Sequence, residues 1–250
     1  MTTEQDSKDR PDIEVGEDHV LAHNVDEEPV EANRRLFEGG LLKFVALLAI
    51  AYSAFHLYSL NIAPLETWSS RIVHIAGALV LGFVLFAGAG FVSWEGGGAR
   101  HRWTTWISAG AMLPALYVLY QTFSFWQMVQ NGAMRIPVEL EVWHFGWPLL
   151  AATGVGIVMS WFHQRERSVF SVPDLVLIVC SLAVAAYFLV VYNTSMRMST
   201  GTSFAPVGIS FAAIAGTALI MELTRRVAGM ALVIIGLVFL AYVFAGPYLP

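Results

Sequence analysis

Seven runs of about 20 mostly apolar residues recur along this 250-residue chain, each long enough to cross roughly 30 Å of hydrocarbon as a helix. They are Leu41–Leu60, Ile72–Val92, Trp103–Phe125, Phe145–Trp161, Asp174–Tyr192, Val207–Leu223 and Val227–Ala245. The fourth is broken up by Gly146, Pro148, Gly154 and Gly156, which leaves its start undefined. Composition agrees with the runs. Hydrophobic residues make up 56% of the chain and charged residues 13%, where a soluble domain carries about 25% charge. The expected fold is an all-α integral membrane protein of about seven transmembrane helices, spanning residues 37–250.

Charge is unevenly placed. Residues 1–36 hold 11 acidic and 4 basic side chains, and the remainder holds 8 acidic and 10 basic. That first stretch has no helical periodicity and too little apolar surface to offset its ordering entropy. It reads as a disordered, acidic, cytoplasmic tail. It has no basic start followed by an apolar segment, so it does not read as a signal peptide. Cys180, with no second cysteine in the chain, makes neither a disulfide nor a cysteine-built metal site.

Lysine and arginine set the expected orientation. With the N-terminus inside, the inner side receives Lys8, Arg10, Arg34, Arg35, Lys43, Arg100, Arg102, Arg165, Arg167, Arg225 and Arg226. The outer side receives Arg71, Arg135 and Arg197. The chain is therefore expected to begin in the cytoplasm and end in the periplasm. Trp68, Trp94, Trp103, Trp126, Trp143 and Trp161 fall at span ends, where an indole prefers the headgroup layer.

Ionisable groups inside a bilayer are the first candidates for function. Four fall in the spans: His56, His74, Asp174 and Glu222. Asp174 follows Pro173 at a helix start and is expected to complement the positive end of the helix dipole. Glu222 precedes Arg225 and Arg226 by three and four residues, the spacing of a local ion pair. His56 and His74 are expected at similar depth on antiparallel neighbours. That arrangement would suit bis-histidine haem ligation, or a hydrogen-bonded pair knitting two helices together. No further haem signature accompanies them, and no cofactor or metal is expected.

Other chemistries lack their residues. A retinal Schiff base needs an intramembrane lysine, and the lysines are Lys8 and Lys43. Paired intramembrane aspartates, a Ser–His pair, HExxH, a Walker A loop and a basic–aromatic nucleic-acid surface are all missing from the sequence. Enzymatic activity and nucleic-acid binding are therefore not expected. Small residues Ala212, Ala213, Gly216 and Thr217 in the sixth span, and Gly77, Gly82, Gly88 and Gly90 around the second, allow close helix approach. Pro114 and Pro148 are expected to kink the third and fourth spans.

The basic pair Arg225-Arg226 followed by AGMALVIIGLVFLAYVFAGPYLP resembles a junction in fused membrane components of TAXI-type tripartite ATP-independent periplasmic (TRAP) transporters. Residues 174–193 and 208–226 look like the third and fourth helices of the small, DctQ-like region of that family. FHLYSL (55–60) and RIVHIAGALVLGFVLF (71–86) look like its first two. The resemblance covers about 110–120 residues, and residues 101–162 add two helices outside the family pattern. It implies an accessory component in a bacterial inner membrane that scaffolds a large permease subunit, with a periplasmic binding protein delivering substrate. The substrate and ion sites of the family lie in the large domain, so none is expected in this chain. Two alternatives are a stand-alone seven-span haem-binding or sensor protein built on His56 and His74, and a truncated product with no activity of its own.

Overall fold

The computed structural model describes residues 33–89, 100–133, 135–163, 169–191 and 206–246. Among them the regular structure is helical. It comprises α1 (Gly39–Asn61), α2 (Thr67–Leu85), α3 (Arg100–Gln130), a π-helical turn (Leu140–Gly146), α4 (Trp147–Phe162), α5 (Val172–Val191), α6 (Gly208–Ala228) and α7 (Met230–Ala245). Five helical segments are long and apolar enough to cross a membrane: Gly39–Asn61, Thr67–Leu85, Leu140–Phe162, Val172–Val191 and Gly208–Ala228. The protein is thus an all-α, multi-pass membrane protein. α7 is apolar but only 16 residues long. α3 is long but interspersed with Thr, Ser, Gln, Trp and Tyr.

α5 is the hub, touching α2, α3, α4 and α6. Its inward stripe is Val176, Leu177, Cys180, Ala183, Val184 and Tyr187, all buried at the three-and-four spacing of one helical face. Small residues on the surrounding helices receive it. Ala111 and Ala115 come from α3, Ala152 and Gly156 from α4, and Ala212 and Ala215 from α6. A Cβ on Gly156 would lie 2.9 Å from Leu177 Cδ2, so glycine lets α4 and α5 approach closely. On α6 the packed small-residue face is Ala212, Ala215 and Gly216. Ala213 and Thr217, expected to share in it, are exposed, because they lie on other sides of the turn.

Several boundaries differ from the sequence expectation for physical reasons. α2 ends at Leu85, short of Val92, because Phe86 leaves the helix to form an antiparallel bridge with Arg34. That bridge, with Arg35 N–H donating to Leu85 O at 2.8 Å and Ala87 N–H to Asn33 O at 2.9 Å, draws residues 33–37 into the body. Residues 33–36, the end of the stretch expected as an acidic tail, thus meet the body, and residues 1–32 lie outside the described residues. Pro114 sits inside a continuous α3. Pro148 falls in the first turn of α4, directly after the π turn, where Trp147 N–H donates to Val142 O. The wider turn relieves the clash of the proline ring with the carbonyl four residues back and absorbs its missing donor. The fourth span therefore starts at Leu140 rather than Phe145.

α6 and α7 are joined through Gly229 alone, at φ +80°, a conformation that side chains with a Cβ rarely adopt. The sharp turn folds α7 back along α6, and Gly236 abuts Met221. Beyond that contact α7 is bare, with Val233 its one buried residue.

Gly146→Ala is expected to cost about 1–3 kcal/mol, because its Cβ would lie 2.5–2.7 Å from the Phe211 ring. Gly110→Ala, with nothing within 4 Å of the new atom, should leave stability unchanged or raise it by up to about 1 kcal/mol, since alanine favours a helix interior. Thermal melts of the detergent-solubilised variants would separate the two.

Candidate functional site

A buried ionic cluster occupies the end of the bundle where α2, α4 and α6 finish and α5 begins. Asp174 and Arg226 are 0% exposed, Glu222 3% and Arg35 4%. Arg226 Nη1 reaches Asp174 Oδ1 at 2.7 Å, and its Nε reaches Glu222 Oε1 at 2.8 Å. Arg35 pairs with the other oxygen of Asp174, which also accepts the Ser171 hydroxyl. Arg225 holds Glu222 through Nη2 at 2.8 Å and Nε at 2.9 Å. Ser160 and the Trp161 indole donate to the same carboxylate at 3.1 and 2.9 Å.

The guanidinium groups also finish the backbone. Helix α2 would leave its last carbonyls unpaired. Arg35 Nη1 donates to Phe83 O and Val84 O at 2.9 and 3.1 Å, while Arg226 Nη1 donates to Phe86 O at 3.0 Å. Arg225 Nη2 donates to Gly88 O at 2.6 Å. Positive charge at a helix C-terminus also complements the dipole. Arg226 lies over the Phe83 ring, 4.8 Å from its centroid, and Arg225 lies over Trp161.

Each sequence candidate can now be placed. Glu222 makes the ion pairs its spacing predicts. Asp174 sits in the first turn of α5 as expected, and in addition it bridges two arginines that are remote in sequence. Trp161 is a cluster member as well as a span-end residue. Trp94 lies outside the described residues.

A second polar centre lies at the other end of α5. Glu141 is 1% exposed inside the π turn and accepts the Tyr187 hydroxyl at 2.8 Å. Its other oxygen faces Gly208 N–H at 3.4 Å, so this carboxylate caps the start of α6 from a different helix. Phe145 stacks on Tyr187 with centroids 4.2 Å apart. Sequence reasoning missed Glu141 because the fourth span was started five residues late. The same holds for His144, whose Nδ1 lies 2.5 Å from Tyr117 Oη.

His56 and His74 do meet across α1 and α2, with His56 Nε2 2.7 Å from His74 Nδ1. That is a direct hydrogen bond. A bis-histidine haem would need its iron and porphyrin plane between two nitrogens on opposite faces, so the placed pair does not fit haem. Among the described residues no group of three or more His, Cys, Asp or Glu is arranged to hold a metal ion.

The described geometry is that of a helical membrane body clamped at both ends by buried polar groups. No protein-family model, no curated protein and no solved structure matches the chain.

Asp174→Asn keeps the shape but removes the negative charge that Arg35 and Arg226 share, and should lower stability by about 3–5 kcal/mol. Arg35→Met, Asp174→Met and Arg226→Met together should recover part of that loss, since Glu222 keeps Arg225, read by thermal melts in one detergent. Tyr187→Phe removes one bond to a buried carboxylate and should cost about 1–3 kcal/mol in the same assay.

Proposed function

We propose that this chain is the small, DctQ-like accessory component of a TRAP-type uptake system, a fixed helical frame beside a large permease subunit in a bacterial inner membrane. In this reading it spans the bilayer seven times, with its arginine-rich end in the cytoplasm. A periplasmic binding protein supplies the substrate to the permease, and this chain transports nothing itself.

The observation that carries the reading is the contrast between α7 and the body. Helices α2 to α6 pack around α5 and are braced by buried ion pairs, as a part that stays fixed should be. Among the described elements α7 packs chiefly against α6. Its far side, including Val238 and Tyr242, is 63% exposed at each of these two positions. An apolar helix held to the body along one side and bare on the other suits a layer placed between a rigid frame and a second membrane domain. In transporters of this kind a moving domain works against such a fixed frame.

Affinity-tagged chain expressed in its native membrane should co-purify with a large multi-span permease. Val238→Trp with Tyr242→Ala should weaken that capture several-fold while the melting temperature of the isolated chain stays unchanged. Recovery of the wild-type chain as a stable solitary protein, with no permease in the eluate, would overturn the proposal.

A further inference from the structure

Near the end of the bundle opposite the arginines, α1 and α2 share a polar patch that the scaffold reading leaves unused. His56 lies about 25 Å along α1 from its start, at 1.5 Å per residue. His56 Nδ1 is 2.9 Å from the Tyr52 carbonyl oxygen. A carbonyl only accepts, so Nδ1 carries the ring proton and Nε2 presents a bare lone pair. That lone pair meets His74 Nδ1 at 2.7 Å. The Tyr52 hydroxyl lies 2.7 Å from the His74 carbonyl oxygen and 3.0 Å from His74 Nδ1. Donating to the carbonyl leaves its oxygen lone pairs on the imidazole side. His56 Nε2 and Tyr52 Oη thus both lie within 3.0 Å of His74 Nδ1.

We propose that His56, His74 and Tyr52 form a binding site for one divalent transition-metal ion of the Zn2+ or Cu2+ class. Imidazole nitrogens favour these ions. The backbone carbonyl on His56 Nδ1 is the kind of outer partner that fixes the tautomer and orientation of a metal-bound histidine. Gly77 positions the third donor, since a Cβ there would overlap the Tyr52 ring. Two imidazole nitrogens bound tetrahedrally at about 2.0–2.1 Å stand roughly 3.3 Å apart. Small side-chain rotations from 2.7 Å reach that spacing, whereas haem iron demands nitrogens on opposite faces of a ring. Binding requires His74 to carry its proton on Nε2 rather than Nδ1, and the exposure of His74 leaves that edge open. Three protein donors leave a coordination position for water or for a partner's side chain. The site stands independently of any permease.

The test uses the full chain, purified through a tag without histidine, stripped with chelator and titrated with ZnCl2. Bound zinc is counted by mass spectrometry, and CuCl2-loaded protein is examined by electron paramagnetic resonance. The wild type and His144→Ala should take up about one equivalent, and the copper spectrum should carry coupling to two imidazole nitrogens. His56→Ala and His74→Ala should lose affinity at least about tenfold, and Tyr52→Phe less. The His56→Ala/His74→Ala double variant measures background from the other histidines. Wild-type uptake no greater than that background, or a copper spectrum without imidazole coupling, would overturn the site. Where an alanine variant does not fold, His56→Gln and His74→Gln repeat the measurement, and imidazole coupling that persists in both would overturn the site.

Discussion

Asp174 lies between Arg35 and Arg226, and the rest of the bundle is organised around that contact. An unpaired carboxylate at full burial would be prohibitively unfavourable. The three groups can be buried only together, with the segment before α1, the start of α5 and the end of α6 meeting at one point. The same guanidinium groups take the trailing carbonyls of α2, so a fourth element is tied in without further charge. Glu222 and Arg225 extend the cluster to α4 through Ser160 and Trp161. Helices that would otherwise slide along greasy faces thereby acquire a common register at this end.

Glu141 plays the corresponding part at the other end of α5, by a different chemistry. It is held by a phenol and the backbone at the start of α6. Between the two polar ends the packing is almost wholly apolar and uses small residues to bring helices close. The result is a body suited to standing still. The bare sides of α1 and α7 and the His56–His74–Tyr52 patch then stand out as the parts free to meet lipid, a partner or an ion.

Much of the architecture was legible because bilayer-spanning helices write their length and apolarity directly into the chain. Glu222 with Arg225 and Arg226 was legible too, since pairs three and four apart share a helix face whatever the tertiary structure. The meeting of His56 and His74 followed from placing two antiparallel helices at equal depth. Arg35 looked like one more topology-setting charge, because nothing local marks a residue that will fold back under a helix end. Glu141 was lost through a boundary error. Gly146 and Pro148 read as interruptions, and the π turn that absorbs Pro148 keeps the helix running back to Leu140.

What the sequence determined by itself is the helical, membrane-embedded class of the chain, the approximate positions of its helices and its local charge pairs. These depend on free energies of transfer and on spacing within one helix, which are summed residue by residue. The tertiary structure alone decided which charges are buried together, that α5 is the hub, and that α7 is left bare. Those outcomes depend on pairing residues as far apart as Arg35 and Asp174, or Glu141 and Gly208. No periodicity encodes such pairs, because their energies exist only once the helices have been brought together.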